Sequence, residues 1–161
     1  MMRKSILLVA IAGLSLTLNQ SLAAQDGVVT NKVAYAELGG AGIIWSVNLE
    51  GRFKDRERLG FGYRLGIGYL DDTIFLPVGV NYVFGKQNSA HTFVTGANIT
   101  IPIDKMVFEP PIGFLCLMYR YMPVKEGISF HIGFTPFIEK KHILYPWGTI
   151  GIGYTFSKLW K

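Results

Sequence analysis

The clearest signal along the chain is alternation. Leu59, Phe61, Tyr63, Leu65, Ile67 and Tyr69 are separated by Gly60, Gly62, Arg64, Gly66 and Gly68. A strand returns to the same face every second residue, so this segment has one apolar face and one of glycine with a single charge. The pattern recurs with Ile74, Leu76, Val78, Val80, Tyr82 and Phe84 opposite Pro77, Gly79, Asn81 and Gly85. Phe93, Ala97, Ile99 and Ile101 oppose Gly96, Asn98 and Thr100. Leu115, Leu117, Tyr119 and Tyr121 oppose Cys116, Met118 and Arg120, and Ile128, Phe130, Ile132 and Phe134 oppose Ser129, His131, Gly133 and Thr135. The last run sets Ile150, Ile152, Tyr154 and Phe156 against Thr149, Gly151, Gly153 and Thr155.

Turn signals part these runs: Lys54 to Arg58, Asp71-Asp72, Gly85 to Ala90, Asp104-Lys105, Pro123 to Gly127, and Glu139 to Pro146. Residues 33 to 53 are too long for one strand. Gly39, Gly40 and Gly42 mark a turn between a short strand 33–39 and a second, 42–53, in which Ile43, Trp45, Val47, Leu49 and Phe53 share a face. A single long, bent strand is the alternative. With the split the count is eight, and bacterial single-chain barrels have even strand numbers. At about 10 to 13 residues, most strands are close to the ~9–11 that cross a bilayer at a tilt of ~45°.

Two barrels share this pattern. In a soluble ligand carrier the apolar face points inward, and the other face carries many Lys and Glu residues. Here that other face carries glycine, threonine, asparagine and isolated charges, which suits the narrow interior of a membrane barrel. Trp45, Tyr69, Phe84, Tyr121, Trp147 and Phe156 fall at or near strand ends, where interfacial aromatic belts form. With both termini periplasmic, Pro77, Pro102, Pro110, Pro111, Pro136 and Pro146 fall near the outer rim and only Pro123 in an inner turn. Proline is tolerated at strand ends, bulges and edges, so the outer strand ends are expected to pair poorly.

Composition narrows the classes further. A chain of 161 residues suggests one domain, and 14% aromatic with 17% charged residues excludes a disordered one. One cysteine excludes an intramolecular disulfide framework. The formal charge of +5 includes Arg3 and Lys4; without those two it is +3, too weak and scattered to argue for nucleic acid. Arg3 and Lys4 precede an apolar run from Ile6 to Leu18, a polar exit at Asn19, Gln20 and Ser21, and then Leu22, Ala23 and Ala24. That is the layout of a secretory signal peptide over residues 1–24, cleaved after Ala23 or Ala24, and the run falls short of the ~20 residues a membrane helix needs. Residues 25–161 form the barrel domain.

The chain resembles the small outer-membrane β-barrels of Gram-negative bacteria, such as the OmpA transmembrane domain, OmpX and OmpW. It is most similar to a subgroup whose opening reads YAELGGAGIIWSVNLEGRF, here residues 35–53. Further matching stretches are LGFGYRLGIGYL (59–70), LPVGVNYVFG (76–85), HIGFTPF (131–137) and PWGTIGIGYTF (146–156). The resemblance implies an all-β fold, an eight-stranded antiparallel up-and-down transmembrane β-barrel. It also implies recognition by the barrel-assembly machinery through Gly151, Tyr154 and Phe156. The tail Ser157 to Lys161 follows Phe156, so Trp160 competes with it as the terminal aromatic.

Candidate chemistry is confined to the interior. Glu37, Glu50, Arg52, Arg64, Arg120 and His131 are expected to face the lumen beside Asn48 and Asn81, as a salt-bridge plug or, alternatively, the lining of a small gated channel. Ser129 and His131 share a face, in the reverse of the His-x-Ser order of a lipid A deacylase barrel, with no base or oxyanion stabiliser evident. His91 and His142 fall on opposite rims, so no metal site and no cofactor are expected. Cys116 reads as a small interior residue. Lys140, Lys141 and His142 fall in an outer loop, read first as a solvated loop, with contact to lipopolysaccharide phosphates as the alternative. The expectation is therefore a monomeric envelope protein in contact with outer-membrane lipid and lipopolysaccharide, with a structural or interaction role. An enzyme acting on membrane lipid and a soluble periplasmic ligand barrel are the alternatives.

Overall fold

A computed structural model describes residues 30–55, 57–103, 111–138 and 144–157. The expected signal peptide over residues 1–24, Asp104 and Lys105, Pro110, Lys140, Lys141 and His142, and Trp160 lie outside the described residues. The strands are β1 (Lys32–Gly39), β2 (Trp45–Arg52), β3 (Gly60–Leu70), β4 (Thr73–Gly85), β5 (His91–Ile103), β6 (Ile112–Tyr121), β7 (Gly127–Phe134), β8 (Phe137–Ile138), β9 (Leu144–Tyr145) and β10 (Gly148–Phe156). Among the described residues the one helix is a 3-10 turn, Gly40–Gly42, between β1 and β2.

Each strand pairs antiparallel with its neighbour from β1 through β7, and β10 joins β7 on one side to β1 on the other. The sheet thus closes as an up-and-down barrel of eight staves. The seventh stave is β7 followed by β8, and the eighth is β9 followed by β10. Phe134 pairs with Gly148, and Phe137 with Tyr145, in one continuous register. That register sets Pro136 opposite Pro146, where neither has an N–H to give, and the ladder between the two staves lapses there. Thr135 N bridges the gap by donating to Trp147 O at 2.7 Å. Pro77 has a similar effect: the β3–β4 ladder skips from Leu65–Val78 to Gly68–Phe75. Pro77, Pro102, Pro111, Pro136 and Pro146 all sit toward the rim opposite the termini, here the far rim; Pro123 lies at the terminal rim.

Parity decides what faces where. On every stave one parity is buried and the other bears exposed Val, Leu, Ile or aromatic side chains. Within the buried parity, large and small residues oppose each other across strands. Arg52 faces Gly62, Asn48 faces Gly66, Asn98 faces Gly79, and Asn81 faces Gly96. Met118 faces Gly133, His131 faces Gly151, and Tyr35 faces Gly153. A barrel of eight staves is only wide enough for side chains to fill it. The glycines are the room into which their neighbours lean; a Cβ on Gly151 would lie 2.3 Å from His131 Cε1.

Two segments depart from the alternation. The second strand starts at Trp45, not at residue 42, because Gly40–Gly42 coils inward and Ile43 turns with φ 72°. Leu59 does not join the outer apolar face. It packs with Val33, Val83, Val94, Met118 and Met122 inside the terminal rim.

Aromatic rings form an outward-facing girdle at that rim. Contacts run Phe53–Tyr63, Phe61–Tyr82, Tyr82–Phe84, Phe93–Tyr119 and Tyr121–Phe130, with centroids 4.5 to 5.9 Å apart. Trp45, Tyr69, Tyr145 and Trp147 lie toward the far rim.

Candidate functional site: the charge network in the lumen

Glu37, Glu50, Arg52, Arg64, Arg120 and His131 all have their side chains inside the barrel, each no more than 8% exposed. Register places them there through parity, but it does not choose their partners. Glu50 stands directly across from Arg64 on the next stave, yet it pairs with Arg120 on the opposite side of the ring. Arg120 grips both oxygens, with Nη1 to Oε1 at 2.6 Å and Nη2 to Oε2 at 2.9 Å, the fork-on-fork geometry that guanidinium favours. Arg52 Nη2 donates to the same Oε1, while its Nη1 donates to Gly60 O at 2.9 Å.

The second centre is Glu37. Arg64 Nη2 donates to its Oε1 at 2.6 Å, and His131 Nε2 lies 3.2 Å from its Oε2. An ionised carboxylate only accepts, so the imidazole carries its proton on Nε2. Asn48 joins from the side: its Oδ1 accepts from Arg64 Nε at 3.0 Å, and its Nδ2 donates to Ser46 Oγ at 2.9 Å. Tyr35 sits between the two centres. Its ring lies 5.6 Å from the Arg64 guanidinium carbon and 5.5 Å from that of Arg120, and meets the His131 ring edge-on at 4.9 Å. Cation–π contact of this kind strengthens when water is excluded.

Both mouths are closed by the chain itself. At the far rim Gly40, Ala41 and Gly42 are buried, and Thr100 Oγ1 donates to Ala41 O. Gly40 combines φ 67° with a backbone so close to the network that a Cβ would fall 2.2 Å from Glu37 Oε1. Only glycine meets both conditions. At the terminal rim Arg58, 1% exposed, donates to Gln87 O at 3.2 Å, Ser89 O at 2.5 Å and also Met122 O. One side chain thus ties three turns together above the apolar layer around Leu59.

Arg58 reads as an ordinary turn charge in sequence, and its inward course is the feature that sequence reasoning missed. No local signal marks it, because its partners are carbonyls of turns remote in the chain. Ser129 and His131 are both buried, and among the described residues no hydrogen bond joins them. Among those residues no group of three His, Cys, Asp or Glu side chains is placed to hold a metal ion. His91 stands apart at the terminal rim, with Nδ1 2.5 Å from Tyr119 OH. Cys116 is a buried free thiol. What the lumen can do chemically is hold charge apart from solvent. Compared with protein-family models, with curated proteins and with solved structures, the chain matches none, so its functional reading rests on this geometry.

Proposed function

We propose that the chain is an integral outer-membrane β-barrel, crossing the bilayer with eight staves and serving a structural or interaction role in the envelope. One observation carries this reading: the barrel is apolar outside and charged inside. Phe61, Leu117 and Ile152 are 66%, 62% and 61% exposed, whereas Glu50 and Arg120 are each 1% exposed. In water each large exposed apolar side chain forgoes about 1.5–3 kcal/mol of burial, and such side chains stand on every stave. Soluble proteins rarely expose apolar area on this scale. In hydrocarbon the same surface is at no disadvantage, and the closed ladder leaves no long edge unpaired.

The aromatic girdle at the terminal rim and the Trp and Tyr residues toward the far rim support the same setting, since such rings gather at both interfaces of a bilayer. The terminal rim is then periplasmic, and the far rim meets lipopolysaccharide. Tyr154 and Phe156 point outward on the closing strand beside the inward Gly151, a disposition open to reading by the assembly machinery. The filled, charged interior argues against a soluble carrier of apolar ligands. It also favours a plugged lumen over a standing channel.

Isolated membranes provide the test. The mature chain is expected to resist alkaline extraction from the outer-membrane fraction and to shift its gel mobility on boiling. Recovery from the soluble periplasmic fraction, with no shift, would overturn the assignment.

A further inference from the structure

The charges of the lumen do not balance. Among the described residues, Arg52, Arg64 and Arg120 face only Glu37 and Glu50, and both oxygens of each carboxylate are already engaged. Arginine does not give up its proton in a protein, so with His131 neutral this network keeps one positive charge of its own, apart from Arg58, whose guanidinium is held by carbonyls at the terminal rim. Protonating His131 would only enlarge the surplus. Buried donors are left over as well: Arg64 Nη1, Arg120 Nε and the Tyr35 hydroxyl have no hydrogen-bond partner among the described residues. Both guanidiniums lie against the one Tyr35 ring, their carbons 5.6 and 5.5 Å from its centroid. Water would satisfy the donors without touching the charge. An anion does both.

We propose that the folded barrel holds one small monovalent anion of the halide class beside Tyr35, bound by the spare donors of Arg64 and Arg120. The opposed large and small side chains leave little free lumen, which favours a monatomic ion over an organic acid. The site is enclosed by Gly40–Gly42 at one mouth and by Arg58 with its apolar layer at the other. The ion is therefore captured as the ring closes and is retained afterwards. None of this depends on what surrounds the barrel.

The test is to refold the mature chain in detergent with bromide as the sole halide, then desalt it into a gluconate buffer. Bromide is counted by elemental analysis on material whose gel mobility shows it to be folded. One retained bromide per folded chain, released on boiling, is the expected result. Arg52→Gln removes the surplus cation while leaving Arg120 clamped on Glu50, and is expected to lower retention at least tenfold. Should that variant not fold, Tyr35→Phe keeps the ring, removes one donor and is expected to lower retention too. A folded wild-type barrel without bromide would overturn the proposal, whether a Tyr35 phenolate, visible by its absorbance, or a loop carboxylate supplies the missing charge. Equal retention by wild type and Arg52→Gln would overturn it as well, by marking the bromide as adventitious. The mobility shift reports folding separately, so neither result bears on the membrane assignment.

Discussion

Replacing Glu50 with glutamine keeps the volume of the side chain and removes its charge. The carboxylate is 1% exposed and serves two guanidiniums, through both oxygens for Arg120 and through Oε1 for Arg52. After Glu50→Gln, two buried cations face a neutral amide whose NH2 group points donor to donor at one of them. Breaking a buried pair by removing one partner costs about 3–5 kcal/mol, and the second arginine pushes the value toward the upper end. Arg52→Gln is the control. It gives up a charged hydrogen bond worth about 1.5–3 kcal/mol but relieves repulsion among three guanidiniums, so its net cost is expected to stay below about 2 kcal/mol. Urea titration of the barrel in lipid vesicles, read as the fraction keeping the folded gel mobility, measures both. With a slope of about 2 kcal/mol per molar urea, Glu50→Gln should lower the midpoint by roughly 2 M with the slope unchanged. A shift under roughly 0.5 M with that slope would refute the reasoning, because it would mean that Glu50 is hydrated and the mouths leak.

Two further outcomes follow from the packing. Gly153→Ala would set a Cβ 2.2 Å from Ala34 O and 2.8 Å from Tyr35 Cα, backbone atoms that cannot step aside, and should cost about 1–3 kcal/mol in the same titration. Gly113→Ala, with nothing within 4 Å of the added carbon, should stay within about 0.5 kcal/mol of wild type. Cys116 is buried between the two closed mouths, so a maleimide should leave the folded barrel unlabelled and react fully after boiling in detergent, as read by mass spectrometry.

Much of the fold is legible in the sequence because a strand's parity is a local property. Arg64 between Gly62 and Gly66, or His131 between Phe130 and Ile132, announces its face with no knowledge of its neighbours. The same holds for the glycines at 39, 40 and 42, which mark a break in the chain. What they do not reveal is its direction: the break folds into the mouth, where Ala41 O accepts from Thr100, a partner that only the tertiary structure brings there. Partner choice is hidden for a related reason. Strand register makes Glu50 and Arg64 neighbours, but long side chains in a narrow lumen reach across it, and the observed pairs are Glu50 with Arg120 and Arg64 with Glu37. Phe75, Val83, Val94 and Phe114 also sit on the inward parity, where alternation alone gives no reason for an apolar residue. They thicken the lumen's packing near its two ends.

The lumen pairs also bear on the order of assembly. Glu37 on β1 reaches His131 on β7 across the seam where β1 meets β10, and Glu50 on β2 meets Arg120 on β6, half a circumference away. Glu50 with Arg52 lies within β2, and Glu37 with Arg64 spans only β1 to β3, but Glu50–Arg120 and Glu37–His131 join staves far apart in the chain. A growing, unclosed sheet would therefore carry Arg120 without its carboxylate. In a bilayer each arginine facing lipid near the midplane costs about 2–4 kcal/mol. For the membrane barrel proposed above, that penalty would hold partial sheets back from the hydrocarbon until β6 faces β2. On that proposal the Glu50–Arg120 pair is a checkpoint that favours closure before entry.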